Sequence, residues 1–337
     1  MTLKPGSKNL ITDVPGLNVG NAEDHILKSG VSVLTSSNPM TASYCVMGGA
    51  PGTRETDLLE PDKTVHGIDA IVLSGGSAFG LDATNGVVEY LREQGKGFAM
   101  GSFNVPIVPT AIIFDLRNGG DKTWHKNPYP ALGRQAIENA SENFQLGSHG
   151  AGFGATTGQV KGGLGSASSI LSNGVIVGAL VIVNAMGNVI DPVSGKFWAA
   201  PFELENEFGG YGAPGDAIYG SALKYSKINS IKDGANSTIG IVATNATITK
   251  SEAKRVATCA HDGLSRAIVP SHLPYDGDLI FSVSTGELNI TFSNEEFAEL
   301  CHLSSVTMSR AIARAVYHAS SNENDTMKCF QDKYETI

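Results

Sequence analysis

The sequence predicts an α/β fold of the α+β kind, in which helices pack outside a layered β core. Three observations carry that expectation. Strand-like and helix-like segments alternate along the chain with no long linker, repeat or charge block between them. Some apolar runs alternate at period two, as half-buried strands do, and others are continuously apolar, as strands covered on both faces are. The helical stretches each carry one apolar stripe, which has to be buried against a sheet.

In chain order, "GVSVLTS" (30–36) alternates at period two and predicts a strand. "GIDAIVLSGG" predicts a short apolar strand that stops at Gly75 and Gly76. "AFGLDATNGVVEYLREQG" follows as an amphipathic helix, with Ser77 as its cap. "PALGRQAIENAS" predicts a weaker helix. "IVGALVIVNAMGNVID" predicts two strands joined at Met186-Gly187-Asn188. "STIGIVATN" predicts a strand leading to a helix whose start carries a capping box, Thr249 with Glu252. "DLIFSVST" and "GELNITF" predict a hairpin around Gly286. A last helix starts at a second capping box, Ser293 with Glu296, and runs to about Ser320. The polar tail after it is expected to be mobile.

Composition narrows the function classes. Glycine supplies 40 of 337 residues, well above the usual share of about 7%, and clusters in loops such as "VMGGAPGT" and "KGGLGS". Close backbone approach is therefore needed at several places. Net charge is −9 and no Lys/Arg cluster occurs, which argues against a nucleic-acid or anionic-membrane partner. Four scattered cysteines without C-x-x-C spacing argue against a disulfide framework or zinc site and for a reducing compartment. The most apolar run, 174–187, is shorter than the roughly 20 residues of a spanning helix. With no hydrophobic signal core at the start, the expectation is a cytoplasmic protein.

Most motif candidates fade on inspection. Ser77 in "LSGGSAFG" follows a strand, but Phe79 stands where a nucleophile elbow needs glycine. "GAGFGA" (150–155) fits G-x-G-x-x-A without the strand before it or the acidic residue after it. The eight histidines show no metal-ligand spacing and no cofactor motif appears. "YDGDLIF" is more specific. Asp276 and Asp278 flank Gly277 at a strand start and share one face. A turn with an Asp at each end is common and, on these residues alone, accounts for them better than catalysis does.

"DGANSTIGIVATNAT" (233–247) places Ser237 at the start of an apolar strand, behind a small polar turn. An autoproteolytic N-terminal nucleophile needs that arrangement. Its hydroxyl attacks the preceding carbonyl, and the α-amine released, with a reference pKa of about 7.7–8.0, then serves as base for the same hydroxyl. A solvent-facing Asn-Ser-Thr turn explains the tripeptide just as well, so local chemistry leaves both readings open.

Taken together, "GGAPGTRETDLL", "LSGGSAFGLDA", "VPIVPTAIIFDL", "KGGLGSAS", "VGALVIVNAMG" and "NSTIGIVATNA" occur in one order from about Leu10 to about His318. In that order they resemble the self-processing aminopeptidases: L-aminopeptidase/D-amidase-esterases, β-peptidyl aminopeptidases and nylon-oligomer endo-hydrolases. The resemblance implies a four-layer αββα sandwich of the N-terminal-nucleophile type, one domain cleaved into chains 1–236 and 237–337. It implies Ser237 as nucleophile, with Asn236-Ser237 as the cleaved bond, and Asn184 as oxyanion donor. It also implies Asp276 and Asp278 as the acidic pair beside the new N-terminus. Two positions depart from the nylon-hydrolase pattern. Gln159 stands for Lys, with Lys161 two residues on, and Phe114 stands for Tyr, so these three become candidates for substrate handling.

The expectation is an amide hydrolase acting on short peptides or amino-acid amides, without cofactor or metal, assembled as a homo-oligomer such as a tetramer of αβ units. Hydrolysis of 6-aminohexanoate oligomers is the alternative. By fold analogy, an ornithine-acetyltransferase-like acyltransferase is the alternative of another class.

Overall fold

The computed structural model describes residues 3–215, 219–228, 236–290 and 292–334. The turn 233–235 ahead of Asn236 lies outside them. The strands are β1 (Leu17–Asp24), β2 (Ser29–Val46), β3 (Thr53–Arg54), β4 (Ile68–Ser74), β5 (Phe98–Met100), β6 (Phe103–Val105), β7 (Thr110–Ile112), β8 (Gly163–Ile170), β9 (Ile176–Asn184), β10 (Ser237–Ala246) and β11 (Leu279–Leu288). The α-helices are α1 (Ala83–Glu93), α2 (Tyr129–Glu138), α3 (Lys250–Ala267), α4 (Asn294–Tyr317) and α5 (Phe330–Tyr334).

Among the described residues nine strands share one hydrogen-bonded network. Its order is β3-β7-β4-β2-β11-β10-β9-β8, with β1 attached to β2. The 18-residue β2 belongs to both halves of that network: its first half pairs with β1 and β4, its second half with β11. The network therefore folds over on itself into two layers. Alternate residues show this directly. Leu180 and Ile182 of β9 and Ile239 and Ile241 of β10 meet Ile71 and Leu73 of β4 in the core between the layers. On the opposite face, Val181 and Val183 of β9 and Ile280 of β11 pack on Val256 and Leu264 of α3 and Met308 and Ile312 of α4. Val31 and Val33 of β2 and Val72 of β4 pack on α1 and α2 through Val87, Leu91 and Leu132. The order α1/α2, sheet, sheet, α3/α4 is an αββα sandwich, as expected. Strands buried on both faces read as unbroken apolar runs because neither face sees water.

Both capping boxes form: Thr249 Oγ1 accepts from Glu252 N–H, and Ser293 Oγ from Glu296 N–H. Five expectations need correction. The segment after Asn184 does not return as a strand, because both sides of β9 are already taken by β8 and β10; Asn188 and Ile190 make only isolated bridges. Residues 286–288 are no hairpin arm. Gly286 sits at φ +66° and β11 continues through it, with a register shift that pairs Leu288 with Ala246. Ser77 is not a cap: Gly76, left-handed at φ +83°, precedes a 3-10 turn, and the Ser77 N–H goes to Ile113 O at 2.9 Å. The last long helix ends at Tyr317. The tail after it is docked through Asp325, whose carboxylate bridges Lys28 Nζ (2.7 Å) and Lys161 Nζ (2.6 Å).

Candidate active site

Four strand ends meet at one rim of the β10 layer. β9 ends at Asn184, β10 starts at Ser237, β11 starts at Leu279, and β2 ends at Val46. Pairing fixes the register there: Ser237 lies opposite Asn184, and Leu279 opposite both Ile239 and Val46. The turn from 273 to 278 continues the ladder, with Asn236 bridged to Asp276 in parallel fashion.

Ser237 is 2% exposed and donates its Oγ–H to the carbonyl oxygen of Asn236 at 2.6 Å. The same oxygen accepts the Gly277 N–H at 2.7 Å. The Asn236 N–H donates to Tyr275 O at 3.1 Å. The residue before Ser237 is thus held through both of its backbone polar atoms, with a backbone donor on the oxygen that would gain charge if Oγ attacked. A Cβ at position 277 would lie 2.4 Å from Ser237 Oγ, so only glycine fits against this hydroxyl. The glycine-rich 48–52 loop has a similar reason. A Cβ on Gly48 would fall 2.2 Å from Asp278 N and 2.4 Å from Asp276 O, because this loop closes directly over the acidic turn.

The two aspartates are buried and engaged differently. Asp278 Oδ1 accepts the Thr238 N–H at 2.8 Å, and its Oδ2 accepts the backbone N–H (3.0 Å) and ring Nδ1–H (2.8 Å) of His272. Asp276 Oδ1 accepts from Met186 N–H and Oδ2 from Leu273 N–H, both at 3.2 Å. Burial, and then the nearby Asp278 charge, push the Asp276 carboxyl above its ordinary range. Asn184 is 1% exposed; its Oδ1 accepts from Thr156 N–H (3.0 Å) and its Nδ2 donates to Phe114 O (3.1 Å). An amide nitrogen carries two hydrogens, so one remains for another acceptor.

Sequence reasoning did not single out Lys227 or His272. Lys227 Nζ donates to Thr156 O (2.8 Å) and to the side-chain oxygen of Asn236 (3.0 Å). Desolvation pulls its ammonium down to about 7, against the attraction of Asp276. His272, just ahead of "YDGD", could have been flagged by proximity; Lys227 offered no local signal.

Ser237, Asn184, Asp276 and Asp278 are thus brought together at this rim. Of the three substrate-handling candidates, Phe114 reaches the site through its carbonyl. Gln159 and Lys161 are otherwise engaged: Gln159 Oε1 accepts from Lys333 Nζ at 3.0 Å, and Lys161 is 2% exposed and paired with Asp325.

The chain matches the model of peptidase family S58 over residues 9–329. It is 42% identical over 290 residues to an uncharacterized aminopeptidase of Mycobacterium tuberculosis, covering 84% of this chain and 83% of that one. It is 28% identical over 300 residues to the 6-aminohexanoate-oligomer endohydrolase of Kocuria sp., covering 85% and 77%. In fold it is similar to a β-aminopeptidase of Burkholderia sp. (TM-score 0.74, 20% identity, 100% and 96% covered). It is also similar to the L-aminopeptidase D-Ala-esterase/amidase of Ochrobactrum anthropi (TM-score 0.70, 19% identity, 99% and 96% covered), described as a variant of the Ntn-hydrolase fold.

Proposed function

Because the chain belongs to peptidase family S58, we propose that it is a self-processing aminopeptidase that cuts its own Asn236-Ser237 bond and then hydrolyses short peptides or amino-acid amides. The observation that carries this reading is the contact set on the Asn236 carbonyl: Ser237 Oγ and Gly277 N–H on one oxygen, within a buried strand mouth.

In self-cleavage, Oγ bonds to the Asn236 carbonyl carbon and gives up its proton. The oxygen gains charge against the Gly277 N–H, a donor already in place. The C–N bond then breaks, the nitrogen takes up a proton, and an ester is left on Oγ. Water hydrolyses that ester, leaving an Asn236 carboxylate and a free Ser237 α-amine. In turnover the α-amine takes the Oγ proton as the hydroxyl attacks a substrate amide, and returns it to the leaving amine. Asn184 Nδ2 supplies a second donor to the oxyanion, and Asp276 and Asp278 hold the new N-terminus in register.

The likeness to a 6-aminohexanoate-oligomer endohydrolase supports linear aminohexanoate oligomers as a second substrate class. The engagement of Gln159 and Lys161 away from the site favours the peptide reading. Among the described residues no helix is long and apolar enough to cross a membrane, which fits the proposed cytoplasmic location. A homo-oligomer of αβ units completes the proposal.

Intact mass and N-terminal sequencing test it. A second chain beginning Ser-Thr-Ile-Gly is expected, and Ser237→Ala should persist as one inactive 35.2 kDa chain. An uncut wild-type chain that hydrolyses aminoacyl p-nitroanilides at full rate would overturn the mechanism.

A further inference from the structure

Asp278 can orient the new N-terminus only if its own carboxylate is held still, and one residue does most of that holding. His272 gives two donors to a single oxygen, Asp278 Oδ2, through its backbone N–H at 3.0 Å and its ring Nδ1 at 2.8 Å. That leaves Oδ1 aimed at the Thr238 N–H, one residue from the nucleophile. The double contact requires an unusual backbone. His272 has φ +56°, a left-handed conformation that disfavours a side chain with a Cβ. The ring is held from its other side by His261 of α3, with ring centroids 5.0 Å apart and the planes steeply inclined. His261 is itself anchored by Nε2 to Cys45 O at 2.9 Å, at the end of β2. Of the two ring nitrogens it is Nδ1 that reaches Asp278, so the side chain's share of the clamp runs through that atom.

We propose that His272 is a positioning residue of the reaction, which locks the Asp278 carboxylate so that Oδ1 stays on the backbone of the nucleophile strand. This rests on the reading of Ser237 as nucleophile, and self-cleavage and turnover test the two separately. A neutral Nδ1–H suffices for the clamp. When protonated, the ring also places a positive charge beside Asp278 and Asp276; His261, facing it from α3, stays neutral because burial holds its pKa near 4.

Two substitutions separate the roles. His272→Gly relieves the backbone strain but removes the ring donor. His272→Asn tolerates the positive φ and returns an N–H near the Nδ1 position. The rates to compare are self-cleavage, by mass, and kcat and KM on alanyl p-nitroanilide, with Tm as the folding control. In His272→Gly, self-cleavage and kcat are expected to fall about 10- to 100-fold with KM within threefold, the range typical of lost orienting partners. In His272→Asn most of kcat should return, while the acid limb of kcat/KM moves to higher pH, because no cation favours the ionised aspartates. A His272→Gly protein within twofold of wild type, or a His272→Asn protein with wild-type Tm that is as slow as His272→Gly, would overturn the assignment. If wild type hydrolyses no anilide, the peptidase reading fails, and the self-cleavage rates still decide the role of His272.

Discussion

Substituting Gly277 by alanine adds a single methyl group against the nucleophile. Its Cβ would lie 2.4 Å from Ser237 Oγ, 2.8 Å from Ala50 O and 3.3 Å from Ser237 Cβ. Ala50 O belongs to a backbone loop that is tied down by its own N–H to Asp276 O at 2.8 Å. The serine side chain is the softer neighbour, and it has to move about 1 Å to reach the 3.4 Å of ordinary contact. Overpacking of this kind costs about 1–3 kcal/mol, a drop of several degrees in Tm for a chain of this size. The kinetic cost is larger. A misplacement of about 1 Å at a reacting atom costs on the order of 100-fold. The Gly277 N–H is retained, so the experiment isolates geometry from the loss of a donor. A pulse-labelled time course, followed by mass, should show the 35.2 kDa precursor persisting about 100 times longer than in wild type. Cleavage within threefold of the wild-type rate would show that Oγ does not need its present position.

Three other outcomes are expected. Asn184→Asp keeps the acceptor for Thr156 N–H but loses the amide donor, including its bond to Phe114 O; stability should drop by about 1–3 kcal/mol and kcat of the folded enzyme should fall about 10²–10³-fold, and a kcat loss below threefold would remove Asn184 from the oxyanion site. Glu207→Ala leaves the Arg310 guanidinium, 0% exposed, without the carboxylate it meets at 3.0 Å; a loss of about 3–5 kcal/mol is expected, measured by urea unfolding of the Ser237→Ala precursor. His261 concerns pH. Burial holds its folded pKa near 4 against an ordinary 6.5, so the unfolded chain binds the extra proton between those values. Stability is then lost as pH falls from 6.5 towards 4, by up to roughly 3 kcal/mol. His261→Leu should flatten Tm against pH in that window; an unchanged slope would assign the acid sensitivity elsewhere.

Much of the architecture was legible because it is written in local pattern. Runs such as "GALVIVN" are apolar at nearly every position because both faces of β9 are covered, and each capping box is a four-residue motif that needs no tertiary help. Asp276 and Asp278 were legible for the same reason: three consecutive residues at a strand start share one fate. Where the chain's partners were decided by distant segments, pattern misled. Residues 188–191 look like a strand, but no edge of β9 was vacant for them. Gly286 looks like a hairpin tip, yet β10 offered β11 a ladder to continue on. Lys227 and His261 escaped notice because their meaning lies in what arrives from elsewhere in the chain, Thr156 and Cys45, whereas His272 meets Asp278 only six residues on and was within reach of a local reading.

The central position of β10 bears on how this protein can be made at all. The strand is zipped on one side to β9, upstream of position 237, and on the other to β11, downstream of it. β2 in turn reaches across more than 200 residues to β11. In an intact chain these long-range pairings form within one molecule, at the high effective concentration that a covalent tether supplies. A break before Ser237 removes the tether and turns the same assembly into an encounter between two chains. The finished molecule would then hold together by a high barrier to unfolding rather than by the ease of refolding. Denatured and diluted, it should recover slowly and with a yield that depends on protein concentration, whereas the uncut Ser237→Ala chain should refold at a rate independent of it.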